Sequence, residues 1–207
     1  RKEVAVNDRL GTDSRMAHGD FYTSEFHVIE EKLDKYWEEN RPLGYSYGYN
    51  WEDGENNIIS AEKLIKMFVR IVAKNGNLLI MLNPDATGRI PAYQTSRMDE
   101  LGKWLQTNGE AIYGSRPHTV TNDPSTTGEN VWYTQSKDGK YTYIFLFEWP
   151  ERGFTMVKNA KPKWESKAYL LGHDKPLFWY EAGSEGVFLK MPDELKEATN
   201  SQAKHVW

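Results

Sequence analysis

The sequence contains no cysteine, so it can build neither a disulfide scaffold nor a thiolate metal site. The compartment stays open, because secreted proteins need not carry disulfides. No apolar run reaches the 18 or so residues that a membrane-spanning helix requires. No N-x-[ST] triplet is present, so there is no acceptor for N-linked glycan. Neither sign of charge dominates: 26 Lys and Arg stand against 30 Asp and Glu, a formal net charge of −4. With no basic cluster, the electrostatic footprint of a nucleic-acid binder is missing. Repeats and low-complexity segments are absent too. What is abundant is aromatic: 8 Trp, 12 Tyr and 8 Phe. Such rings serve as apolar platforms for sugars, and they fill β-rich cores equally well.

At 207 residues the chain fits one large or two small domains. It starts at Arg1 with no initiator Met or signal peptide, and stops at Lys204-His205-Val206-Trp207, which resembles the start of a strand. The expectation is a piece of a longer protein, or a chain processed at both ends. Val4-Ala5-Val6 suits a short buried strand. Asn7-Asp8-Arg9 follows, then a glycine-punctuated loop, then Tyr22, Glu25, Phe26 and His27. Polar residues just past a buried strand are where α/β barrels place their chemistry.

Glu30 to Asn40 is charged and reads as helix or loop, and Gly44 to Asn50 as a shaped loop. Ser60 is a good helix N-cap, Glu62 suits the first turn, and Leu64, Met67, Phe68, Ile71 and Val72 form an amphipathic stripe. Asn75-Gly76 stops that helix. Leu78 to Leu82 reads as a strand buried on both faces, and Pro91 to Asn108 as a second helix. This is α/β grammar. After Pro117 only short strand-like runs remain, 118–121, 131–135, 141–149, 154–157, 166–171, 177–181 and 187–190, with a hairpin turn at Lys137-Asp138-Gly139-Lys140. They predict a small antiparallel sandwich.

Residues 1 to about 117 resemble the C-terminal half of the catalytic barrel of α-L-fucosidases, family 29 of the glycoside hydrolases. The resemblance is carried by Val6-Asn7-Asp8-Arg9-Leu10-Gly11, Gly19 to His27, Trp37-Glu38, Ser46 to Asn50, Lys74 to Leu79, Asn83-Pro84-Asp85 with Gly88 and Ile90-Pro91, and Gly109 to Gly114. It implies a partial (β/α)8-type barrel over 1–117 and an antiparallel β-sandwich over 118–207, an α/β plus all-β fold. Two departures stand out. Leu10 occupies a position that is usually Trp in the family, and Met81-Leu82-Asn83-Pro84 replaces the frequent N-x-G-P. Both concern the pocket wall, and so substrate preference more than reaction type.

The resemblance implies retaining hydrolysis of terminal α-linked L-fucose by two carboxyl groups. Glu25 aligns with the general acid/base, and burial beside Tyr22 and Phe26 would favour its protonated form. Arg9 aligns with a sugar-contacting arginine and Tyr47 with an aromatic on the fucose ring or its methyl. Trp37 and His27 are further candidate contacts. The alternatives are structural: an ion pair with Asp8, Asp20 or Glu25 for Arg9, a plugged rim for Tyr47, a capped barrel for Trp37, and packing for Tyr45 and Tyr49. Asp85 fits an Asx turn better than a site, and His18, like His27, could contact a sugar hydroxyl or orient Glu25, although a lone loop His more often does neither. The family's nucleophilic Asp precedes Asn7-Asp8-Arg9, in a segment this sequence does not contain. It is expected upstream or on a partner chain. Should the chain act alone, Asp8, Asp20 or Glu38 must take its place. No metal or cofactor is expected. The implied partners are a fucosylated glycan and an N-terminal barrel half or a second copy, with neither nucleic acid nor membrane. A non-catalytic fucose-binding protein and a structural adaptor for the sandwich are the rival readings.

Overall fold

The structure, a computed structural model, describes residues 3–123 and 131–195. The chain divides into two compact units, residues 1–103 and 104–207. The first holds three parallel strands in the order β1 (Tyr22–Glu25), β2 (Trp37–Pro42) and β3 (Gly76–Met81). Tyr22 pairs with Trp37 and Trp37 with Gly76, so one line of residues crosses the sheet. Helix α1 (Ala61–Ala73) connects β2 to β3, and α2 (Ala92–Asn108) follows β3.

Helix α1 forms where its caps and stripe predict. Ser60 Oγ accepts the Lys63 N–H at 3.3 Å. Leu64, Met67 and Ile71 are buried, joined by Ile65 and Val69, while Phe68 and Val72 lie at the margin. The helix ends at Ala73 with Lys74 as its C-cap, and Asn75, at φ +72°, turns the chain into β3. Gly76 then passes directly beneath Trp37, leaving no room for a Cβ, which would sit 2.5 Å from the indole. Trp37 is fully buried and its Nε1–H donates to the Lys74 carbonyl at 3.0 Å.

Four expectations are corrected. Val4 is 57% exposed and 4–6 is not a strand. The Val6 N–H bonds the Asp20 side chain at 2.8 Å rather than a ladder, and only an isolated bridge, Asn7 with Phe21, leads toward β1. Residues 37–42 are a strand rather than helix or loop, because Trp37 and Glu39 alternate inward despite the charged sequence. Residues 22–25 are a strand as well, where a loop is expected. Its polar side chains find polar partners, so no apolar alternation marks it. Finally, β3 is covered on one face only: Leu79 is 46% and Met81 37% exposed. Asn77, Leu79 and Met81 form the open face, while Gly76, Leu78 and Ile80 are the more buried set; β3 is also the edge strand of the sheet.

The second unit is all-β after the 3-10 turn Gly109–Ala111: β4 (Arg116–Asp123), β5 (Val131–Gln135), β6 (Thr142–Phe145), β7 (Phe154–Val157), β8 (Ala168–Tyr169), β9 (Pro176–Leu177), β10 (Trp179–Glu181) and β11 (Val187–Lys190). They pair antiparallel in the orders β4-β5-β6, β10-β11-β7 and β8-β9. Each run expected as a strand contains one, though 141–149 yields only Thr142–Phe145. The hairpin turn forms as expected: Gly139 takes φ +70°, and Asp138 Oδ1 accepts the Lys140 N–H at 3.1 Å. Val131, Tyr133, Leu146, Val157, Val187 and Leu189 share one core. A buried carboxylate ties its strands: Asp123 Oδ2 accepts the Tyr133 hydroxyl at 2.5 Å and the Lys158 and Asn159 N–H groups at 3.0 Å. The final stretch, with Lys204 to Trp207, lies outside the described residues.

The contact between Gly76 and Trp37 makes a specific prediction. Gly76→Ala should lower stability by about 1–3 kcal/mol, the usual cost of overpacking a filled core. The urea midpoint of the variant measures it, and an unchanged midpoint would show that the indole moves freely.

Candidate active site

The candidate site is built at the carboxyl ends of β1 and β2, and its foundation is Asp8. This residue is fully buried. A 3-10 turn, Thr12–Ser14, folds back over it, and Ser14 Oγ donates to the Asp8 carbonyl at 2.7 Å. The Met16 N–H then reaches Asp8 Oδ2 at 2.9 Å, with Met16 at φ +55°. The Thr23 hydroxyl donates to Asp8 Oδ1 at 2.7 Å. Burial works against the Asp8 charge, but these hydrogen bonds outweigh it and hold the carboxyl below its ordinary range.

Thr23 and Glu25 lie two apart on β1 and so share a face. Thr23 Oγ1 accepts the Arg9 Nε–H at 2.8 Å. Arg9 Nη1 forms an ion pair with Glu25 Oε1. The two side chains are 27% and 35% exposed, so the pair sits at a rim rather than in the core or in open solvent. Arg9 Nη2 is buried and has no hydrogen-bond partner among the described residues.

Tyr47 joins them from the loop after β2. Its hydroxyl donates to the Asn40 carbonyl at 2.7 Å, and Asn40 is the register partner of Glu25. Its ring meets Phe26 edge-on, centroids 5.3 Å apart. Burial raises the Tyr47 phenol, the charges of Glu25 and Glu39 raise it further, and Arg9 and Arg41 oppose them. Arg9, Glu25 and Tyr47 thus share one electrostatic neighbourhood.

Other expected residues are placed elsewhere. Trp37 lies in the core under α1, and the structure does not bring it to Arg9 and Glu25. His27 is exposed two residues beyond Glu25, and His18 is exposed on its turn. Tyr45 and Tyr49, expected to pack, are 86% and 49% exposed. Leu10 is exposed. Asp85 Oδ1 accepts the Thr87 N–H at 2.7 Å, an Asx turn. Three residues of the site receive no role from the sequence: Thr23 and Ser24, although they lie inside the Gly19 to His27 motif, and Glu39. Glu39 is fully buried, with Oε2 accepting from the Ser24 hydroxyl and Oε1 without a hydrogen-bond partner among the described residues. Among the described residues, no group of three or more His, Asp or Glu is placed to hold a metal ion.

A partly exposed carboxylate gripped by an arginine, beside an aromatic ring, thus stands at the carboxyl end of parallel strands, where α/β folds place their sites. Two family models match this chain: α-L-fucosidase over residues 1–110, and the α-L-fucosidase C-terminal domain over residues 122–207. The chain belongs to the α-L-fucosidase family. Its relatives include the α-L-fucosidase of Dictyostelium discoideum, 36% identical over 92% of this chain and 39% of that protein. The human plasma α-L-fucosidase is 33% identical over 93% of this chain and 41% of its own length. The chain therefore spans about two fifths of these relatives. Among solved structures, the Thermotoga maritima α-fucosidase in complex with fucose superposes with a TM-score of 0.80 at 26% identity, covering 99% of this chain and 44% of that one.

The hydrogen bonds to Asp8 predict an acid response. A carboxyl held below its ordinary value of 3.8 stabilises the fold above that pH, and the contribution is lost as pH falls through the folded value. In urea titrations the advantage of the wild type over Asp8→Asn should be full at pH 7 and shrink below about pH 4. A pH-independent difference would mean that the Asp8 charge plays no part in stability.

Proposed function

We propose that this chain is the acid/base-bearing part of a retaining α-L-fucosidase acting on terminal α-linked L-fucose of glycans. The observation that carries the reading is the Arg9–Glu25 ion pair beside Tyr47. Glu25 protonates the leaving glycosidic oxygen and later takes a proton from the attacking water. It must leave Arg9 and take up a proton before its first step, and a sugar hydroxyl arriving at the guanidinium supplies the competing partner. The planar fork of donors on the guanidinium suits such a hydroxyl. The Tyr47 ring offers an apolar surface to the methyl and C–H groups, and His27 stands close in sequence to add a polar contact. No cofactor enters.

The attacking carboxylate must lie about 5–5.5 Å from Glu25 in a retaining enzyme. Asp8 is unsuited, since both of its oxygens are held and it has no exposure. Asp20 is bonded to the Val6 N–H. Glu38 faces the same side as Glu25, opposite Thr23 in register. The reading accordingly assigns the nucleophile to an Asp outside this chain, with Glu38 as the internal substitute. Residues 1–117 are then the C-terminal half of a (β/α)8-like barrel and 118–207 a β-sandwich. Parallel strands joined by a helix support the first, and paired antiparallel sheets the second. The exposed Leu79 and Met81 on an edge strand favour an added barrel half or self-association.

The test is hydrolysis of aryl α-L-fucosides by the chain, alone and with any barrel-completing partner. Glu25→Ala should lower kcat/KM by about 10²–10⁴-fold for poor leaving groups and far less for good ones. A small, uniform loss would remove Glu25 from the chemistry. Fucose binding in calorimetry without turnover would leave a fucose-binding protein.

A further inference from the structure

Asp8 and Thr23 are both buried and stand behind the Arg9–Glu25 pair. An ionised carboxylate only accepts hydrogen bonds, and the Met16 N–H already occupies Asp8 Oδ2. The single proton of Thr23 is therefore committed to Asp8 Oδ1, at 2.7 Å. That commitment turns a lone pair of Thr23 Oγ1 toward Arg9, whose Nε–H it accepts at 2.8 Å. One fixed N–H on a planar guanidinium sets the plane of the whole group. With Nε pinned, Nη1 falls on Glu25 and Nη2 falls in a buried, unpartnered position.

We propose that Thr23 is a positioning residue for Glu25, acting through Arg9, and that Asp8 fixes the direction of its hydroxyl. The proposal rests on the fucosidase reading for its functional meaning. It converts Asp8 from a spare acid into the anchor of a one-way chain: Met16 N–H to Asp8, Thr23 O–H to Asp8, Arg9 Nε–H to Thr23, Arg9 Nη1–H to Glu25. A neutral, isosteric residue at 23 would keep the strand and lose the plane of the guanidinium. Serine would keep both.

The experiment uses the full chain, 15N-labelled, with the Arg9 Nε–H resonance assigned by its loss in Arg9→Lys. In the wild type that proton should exchange slowly with water. Thr23→Ser should preserve it, and Thr23→Val should speed its exchange about tenfold or more, since its acceptor is gone. Fucose affinity, read by calorimetry, should fall about tenfold in Thr23→Val and within about threefold in Thr23→Ser. Asp8→Asn is the second variant, and it decides the matter if Thr23→Val does not fold. Its amide can offer an N–H to Thr23 Oγ1 and compete with Arg9, so the Arg9 signal should shift and exchange faster. Unchanged Arg9 exchange in a folded Thr23→Val or Asp8→Asn variant overturns the proposal. If the Arg9 signal responds while the wild type binds no fucose, the positioning stands and the fucosidase reading fails.

Discussion

The first unit depends on one indole. Trp37 sits with no exposed surface between the end of α1 and the start of β3, its N–H on the Lys74 carbonyl and its ring over Gly76. A buried tryptophan carries a large apolar area, and its N–H must find an acceptor there. Satisfying both demands at one place sets the register of β2 against β3, and on the same face the bond from Ser24 to Glu39 ties β1 to β2. That register puts Asn40 beside Glu25, and the Asn40 carbonyl holds the hydroxyl of Tyr47. The placement of the aromatic ring next to the carboxylate thus follows from packing on the opposite side of the sheet.

Strand β1 is held by polar groups on both faces. Thr23 bonds Asp8 on one side and Ser24 bonds Glu39 on the other. Interior polar pairs of this kind contribute little net stability, but an unmatched member is costly. They therefore specify an arrangement more than they strengthen it. The arrangement they specify is the one in which Arg9 faces Glu25. A strand made of apolar residues would be more stable and would present no such fork of donors.

The contrast between legible and hidden elements has the same cause. Helix α1 is legible because Ser60, Glu62, the apolar stripe and Asn75 are all local signals acting within a few residues. The hairpin at Asp138-Gly139 is legible for the same reason. Strands β1 and β2 are hidden, because their inward residues include Thr23 and Glu39, which no scale of hydrophobicity marks as interior. Val4-Ala5-Val6 misleads in the other direction: the run is apolar, yet Val4 is largely exposed and the Val6 N–H bonds the Asp20 side chain. Arg9, Glu25 and Tyr47 emerge from the motif resemblance; an ion pair for Arg9 is legible too, but the fold decides that its partner is Glu25 and not Asp8 or Asp20. Trp37 shows the limit of motif reasoning, since a residue shared with a sugar-handling family lies here in the core.

By itself, the sequence determined the helices, the turns, the change from α/β to all-β near Pro117 and the family to which the chain belongs. Those features rest on local propensity, on periodicity and on short strings of residues, all of which are written in the order of the chain. Only the tertiary structure decided that Asp8 is an anchor, that Trp37 is core, and that Thr23 stands between Asp8 and Arg9. Those facts depend on residues 14 or more positions apart meeting in a parallel sheet, and a linear pattern carries no record of which polar side chain will face which.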